Sequence, residues 1–137
     1  MDTSFDRAKS LQELEGVDWG EPPYPSYLVT TCHRLRRKPL AEFTVEDLRI
    51  MIGQGIGLPY LISLALEKLR VNPFVSGDFY PGDLLHNVLT VPSDFWQTHP
   101  DLRTLMHIFA IDLESLLETI EDTIIPDLAA FKDNPRS

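Results

Sequence analysis

Cys32 and His33 stand side by side in TTCHRLRRKPL, the only cysteine of the chain next to one of its four histidines. Thiolate and imidazole are ligands that zinc favours, and a thiol beside a base is a potential nucleophile. The spacing argues against both uses. Adjacent helical residues project about 100° apart and rarely share an ion, and catalytic Cys and His residues normally come from separate parts of a chain. Cys32 reads as a core residue and His33 as a packing or surface residue. His99 and His107 lie about 12 Å apart along a helix, too far to bind one metal together. Asp83-Leu84-Leu85-His86 has the carboxylate-x-x-His spacing of di-iron bundles, but these need two such motifs and two further glutamates. Asp83 follows Pro81-Gly82 and reads instead as a helix N-cap or first-turn acid. Gly53-Gln54-Gly55-Ile56-Gly57 lacks the lysine of a phosphate loop and follows a helix rather than a strand, so it reads as a turn. No catalytic set, cofactor site or metal site emerges from these residues.

Charge is more informative. The net charge is −9, which argues against direct binding of nucleic acid and is compatible with a basic protein partner. His33, Arg34, Arg36, Arg37 and Lys38 form the single basic cluster. In so acidic a chain, pairing with acids elsewhere in the fold is preferred over RNA binding. From Leu105 to Phe131 there are six acids and no lysine or arginine. Glu114, Glu118, Glu121 and Asp122 fall within about 100° of one another on a helical wheel. The pairs Glu114/Glu118 and Glu118/Asp122 repel by a few tenths of a kcal/mol each, a cost that a solvated face tolerates or a docking face exploits. Glu13, Glu15, Asp18 and Glu21 form a second acidic group near the N-terminus that would extend such a surface.

The elements that must carry these residues read as helices. Leu11 and Leu14 suggest a short helix ended by Gly16, and the prolines between Trp19 and Pro25 forbid regular structure. A helix from Ser26 to Arg37 stops before Pro39, with Leu28, Cys32 and Leu35 on its apolar side. Thr44 and Asp47 cap the next helix, Phe43 and Leu48 staple it, Leu48, Met51 and Ile52 form its buried stripe, and Gly53 or Gly55 ends it. Pro59 opens a helix that is apolar almost all round from Tyr60 to Leu69 and belongs at the centre of a bundle. After the connector FVSGDFYPGD comes a short helix with Leu84, Leu85, Val88 and Leu89, then a turn with Phe95 and Trp96 capped by Ser93. Pro100 begins the longest helix. Its stripe is Leu102, Leu105, Met106, Phe109, Leu113, Leu116, Leu117, Ile120 and Ile124, and Pro126 kinks or breaks it.

The fold class is therefore all-α: a compact bundle of about six to eight short helices with a long amphipathic C-terminal helix. Length predicts a single domain over 1–137, with 1–9 and 133–137 as frayed tails. A lone cysteine fits a reducing cytosol. The polar start MDTSFDRAKS has no apolar signal-peptide core, and no apolar run approaches the roughly 20 residues of a membrane helix. The expected location is cytoplasmic, with no membrane contact.

Three stretches, SYLVTTCHRLRRKPL, FTVEDLRIMIGQ and FVSGDFYPGDLL, fall in and at the end of the block Trp19–Asp83, the last running on to Leu85. Over this middle half the chain resembles the immunity proteins of bacterial contact-dependent growth inhibition systems. The resemblance implies a non-enzymatic protein that binds the cognate C-terminal toxin domain and holds it inactive. It further implies a ribonuclease toxin, of the ribonuclease A-like kind, with a cationic active site to be covered. Tyr24, Tyr27, Tyr80 and Trp96 are aromatic side chains that could anchor such an interface. Two other classes make different predictions. A helical adaptor or regulator unrelated to a toxin would rescue no poisoned cell, and a metal-dependent hydrolase built on Asp83 and His86 would purify with tightly bound metal.

Overall fold

A computed structural model describes residues 4–134. The remaining positions of the two predicted tails, 1–3 and 135–137, lie outside the described residues. The helices are α1 (Leu11–Glu15), α2 (Tyr27–Arg36), α3 (Val45–Gly53), α4 (Leu58–Val71), α5 (Asp83–Leu89), α6 (Ser93–Thr98), α7 (Pro100–Thr119) and α8 (Ile125–Asp133). A 3₁₀ turn spans Leu40–Glu42, and a π-helical turn, Ile120–Ile124, joins α7 to α8. Among the described residues there is no strand, only an isolated antiparallel bridge between Ser76 and Pro81. The fold is all-α with a long C-terminal helix, as the periodicity predicts. The chain divides into two compact units, Met1–Arg103 and Thr104–Ser137.

In the first unit the local chemistry of each helix start is explicit. The Ser26 hydroxyl accepts the amide of Val29 at α2. At α3 the Asp47 amide donates to Thr44 Oγ1 at 3.1 Å while the Thr44 amide donates to Asp47 Oδ2 at 3.0 Å, a reciprocal capping box. Phe43 and Leu48, the two staple residues, are both buried. Pro59 occupies the first turn of α4, where its missing N–H costs nothing. Ser93 does not cap α6. It is the first helical residue, and Pro92 takes the cap position, where it has no side-chain donor or acceptor to offer.

The core forms around α4, where Leu61, Ile62, Ala65 and Leu69 are fully buried. α3 packs against α4, α5 and α2, and α4 against α5. Each such leucine contributes about 1.5–3 kcal/mol of burial. Of the GQGIG segment, Gly53 closes α3 and residues 54–57 form the predicted turn to α4. Gly57 sits there at φ +66°, and a Cβ on it would come within 2.6 Å of Leu11 Cδ1, so the turn can press onto α1 only as glycine. The segment before α1 is also held: the Leu40 and Ala41 amides donate to the carbonyls of Lys9 and Arg7, and Arg7 makes a bidentate pair with Glu67.

In the second unit, Met106, Phe109 and Leu113 are buried, but the stripe does not continue so. Leu116, Leu117 and Ile124 are exposed and Ile120 is only half-buried. Pro126 interrupts the α-helical ladder without ending the helical path. The Ile125 amide bonds to the Ile120 carbonyl, five residues back, and Thr119, Ile124 and Ile125 keep right-handed helical dihedrals. The wider π turn accommodates a residue that has no N–H and whose ring would meet the Asp122 carbonyl in an α-helix.

Candidate binding surfaces

Most acids near the N-terminus are committed within the first unit. Glu13 closes a capping box on α1, its carboxylate accepting the Ser10 amide and its own amide donating to Ser10 Oγ. Glu15 pairs with Arg36. Arg36 is 2% exposed, also donates to the Val17 carbonyl at 2.6 Å, and lies over the Trp19 ring at 4.3 Å. Asp18 accepts the Gly20 amide and faces Arg37 at 3.7 Å. Glu21 is exposed. Lys38 pairs with Asp47 at 2.6 Å. Three members of the basic cluster are thus paired internally, and Arg34 is exposed. A burial this complete for Arg36 is not visible in a run of five bases.

The connector between α4 and α5 is more organised than its glycines and prolines suggest. Asp83, 2% exposed, opens α5 and turns its carboxylate back into the loop. It accepts the amides of Gly77 at 2.6 Å, Phe79 at 3.1 Å and Tyr80 at 3.4 Å. Burial works against its ionised form, but these amides and that of Leu84 outweigh it and hold its pKa below the ordinary value. Glu46 accepts the Asp78 amide and a bidentate pair from Arg49, which lower its pKa against the opposing effect of burial. Arg49 lies 3.8 Å from Asp83 and 4.2 Å from the centre of the Phe79 ring. Gly77 sits where any Cβ would come within 2.6 Å of Glu46 Oε1.

This network presents Phe79, 69% exposed, and Tyr80, 49% exposed. Sequence reasoning missed Glu46, Arg49, Gly77 and Phe79. The i, i+3 spacing of Glu46 and Arg49 signals their pairing, but nothing local signals that the pair reaches a loop some thirty residues on. Of the aromatic candidates, Tyr24 and Tyr27 are exposed, while Trp96 is half-buried with its ring edge-on to Phe95.

The remaining chemical candidates have ordinary surroundings. Cys32 is buried, which raises its thiol pKa. His33 contacts the Gly20 carbonyl and meets Trp19 edge-on. His99 stacks on Phe95 and contacts its carbonyl, while His107 and His86 are exposed. Among the described residues no three His, Cys, Asp or Glu side chains are placed to hold a metal, and no helix is long and apolar enough to cross a membrane.

In the second unit Glu114, Glu118, Glu121 and Asp122 are all exposed, and among the described residues none has a salt-bridge partner. These acids stand beside the exposed Leu/Ile stripe. What the described residues offer is charged and aromatic surface on helices. A sequence model of the CDI immunity proteins matches residues 13–106, more than half of the chain. The chain belongs to that family, whose members bind and neutralise toxins of contact-dependent growth inhibition systems and are generally not enzymes. No curated protein and no solved structure matches it. The matched region includes the Asp83 loop and the N-terminal acids; it ends before Glu114.

Proposed function

We propose that this protein acts in the cytoplasm as the inhibitor of a basic ribonuclease toxin, of the ribonuclease A-like kind, and that it works by occupying the toxin's cationic active site without catalysing a reaction itself. The observation that carries this reading is the contrast between occupied and unoccupied acids. Among the described residues Glu114, Glu118, Glu121 and Asp122 have no internal cation to satisfy, whereas Glu13, Glu15 and Asp18 already serve α1, Arg36 and Arg37. Carboxylates free of internal partners can sit where RNA phosphates would sit and gain charge-assisted hydrogen bonds from toxin lysine, arginine or histidine. Glu21 and the solvent-facing edges of Glu13, Glu15 and Asp18 would supply a secondary contact.

The test is co-purification with the C-terminal domain of the protein encoded immediately upstream, followed by an RNA degradation assay. Stoichiometric addition of this chain should stop degradation. The variant with Glu114, Glu118, Glu121 and Asp122 all replaced by lysine should remain folded, associate at least about tenfold more slowly and lose the salt dependence of the wild type. Continued RNA degradation with the wild-type chain bound would sink the active-site occlusion, a toxin domain that leaves RNA intact on its own would sink the ribonuclease reading, and unchanged association by the lysine variant would sink the acidic surface.

A further inference from the structure

Leu116, Leu117, Ile124, Ile125, Leu128 and Phe131 are each between 38% and 62% exposed. Isolated exposed apolar residues are ordinary, but a continuous set this size marks a surface that something covers. The π turn makes the set continuous. A π turn takes about one residue more than an α turn, so over five residues it rotates the chain beyond it by roughly a quarter of a revolution. Without that rotation Ile125 would lie nearly opposite Leu116; with it, all six residues share little more than about a third of the circumference.

We propose that this stripe is where the toxin domain seats, against an apolar patch rimmed by lysine and arginine. The proposal rests on the toxin-inhibitor reading above and adds the contact that holds the complex together. Charge identifies the occupant. Between Thr104 and Asn134 the chain carries seven acids and one lysine. Glu114 and Glu121 border one edge of the stripe, and Asp112 and Asp127 the other. A second copy docking on the same face would place acid against acid, because a two-fold interface joins identical patches. An anionic membrane would be repelled likewise. A basic protein surface with an apolar centre satisfies both features. The acids then set the rate of encounter, and the desolvated apolar side chains set the lifetime of the complex.

The experiment measures association and dissociation on the immobilised C-terminal domain of the upstream-encoded protein. In the triple variant Ile124→Gln, Leu128→Gln, Phe131→Gln, dissociation should be about 100-fold faster, the loss expected from two or three residues at an interface centre, with association changed little. The exposed positions should leave helicity and the urea midpoint as in the wild type. Unchanged dissociation overturns the proposal, even where the lysine variant of the acids shows that the electrostatic reading holds. Faster dissociation in a protein whose acid variant binds normally supports the stripe and removes the electrostatic reading. A wild-type chain that sediments as a dimer, and a triple variant that sediments as a monomer, would assign the stripe to a second copy and overturn the proposal. Independently of any variant, amide exchange over 116–131 should slow in the wild-type complex, and exchange at the free rate there overturns it too.

Discussion

Two regions of this molecule use the same residue type in opposite ways. At the loop before α5, Asp83 and Glu46 are buried or half-buried and their carboxylate oxygens have work inside the fold: Asp83 gathers three amides, and Glu46 holds an amide and Arg49. On the C-terminal helical segment Glu114, Glu118, Glu121 and Asp122 are exposed and among the described residues have no cation of their own. Apolar residues divide in the same way, with Leu61 and Ile62 fully buried and Leu128 and Phe131 exposed. The first region spends its chemistry on shape. The second holds chemistry in reserve, and that is the difference between framework and contact surface.

The comparison breaks most easily at Asp83. Replacing it with alanine strands three amides and leaves Arg49 beside a void, and should cost on the order of 3 kcal/mol. The check is the urea midpoint with an unchanged denaturant slope. A loss below about 0.5 kcal/mol, the range of an ordinary surface substitution, would mean that the loop is not built on this carboxylate. Fluorescence or amide exchange should also show residues 76–82 loosened in this variant, because Phe79 and Tyr80 depend on it for their positions.

How much of this was legible in the sequence follows the range of the interactions. The Thr44–Asp47 box, the turn at Gly55 and Gly57, the apolar α4 and the long helix after Pro100 are set by neighbours within a few residues, so pattern alone finds them. Asp83 was legible as an acid at a helix start, but not as the centre of a loop, because its partners are chosen by how the connector folds back. Arg36 was legible as a base that pairs with an acid elsewhere in the fold, but not as a buried one, for the same reason: Glu15, Val17 and Trp19 reach it from another segment. The apolar stripe misled in the other direction. Periodicity shows that Leu116, Leu117 and Ile124 share a face but not whether that face is covered, and here it is open. The π turn at Ile120–Ile124 left no signal except Pro126, which announces a break in the ladder without saying how the chain absorbs it.

Acid should sharpen the contrast, with a smaller effect than removing Asp83. Asp83 and Glu46 both have folded-state pKa values below their ordinary ones, so the folded protein holds their protons less tightly than the unfolded chain does. Their contribution is therefore complete above the ordinary carboxylate range, and it is lost as pH falls through that range toward the folded values. Urea midpoints measured from neutral pH down to roughly pH 3 should decline, and the decline should be shallower in Asp83→Asn. Neutralising the four C-terminal acids should not make that decline shallower. An equal flattening in both variants would show that the two sets of acids are not different after all.

The smallest expected effect has the opposite sign. Glu114→Gln, Glu118→Gln, Glu121→Gln and Asp122→Asn together remove the repulsions at Glu114/Glu118 and Glu118/Asp122, each a few tenths of a kcal/mol. No internal ion pair is lost, because none of the four has a partner among the described residues. The variant should be as stable as the wild type at neutral pH or more stable by up to about 0.5 kcal/mol, and the gain should shrink as salt screens the repulsion. Toxin binding should weaken in the same variant. Stability and binding moving in opposite directions is what a contact surface carrying uncompensated charge predicts. A clear loss of stability would instead mean that these carboxylates serve the fold, as Asp83 and Glu46 do.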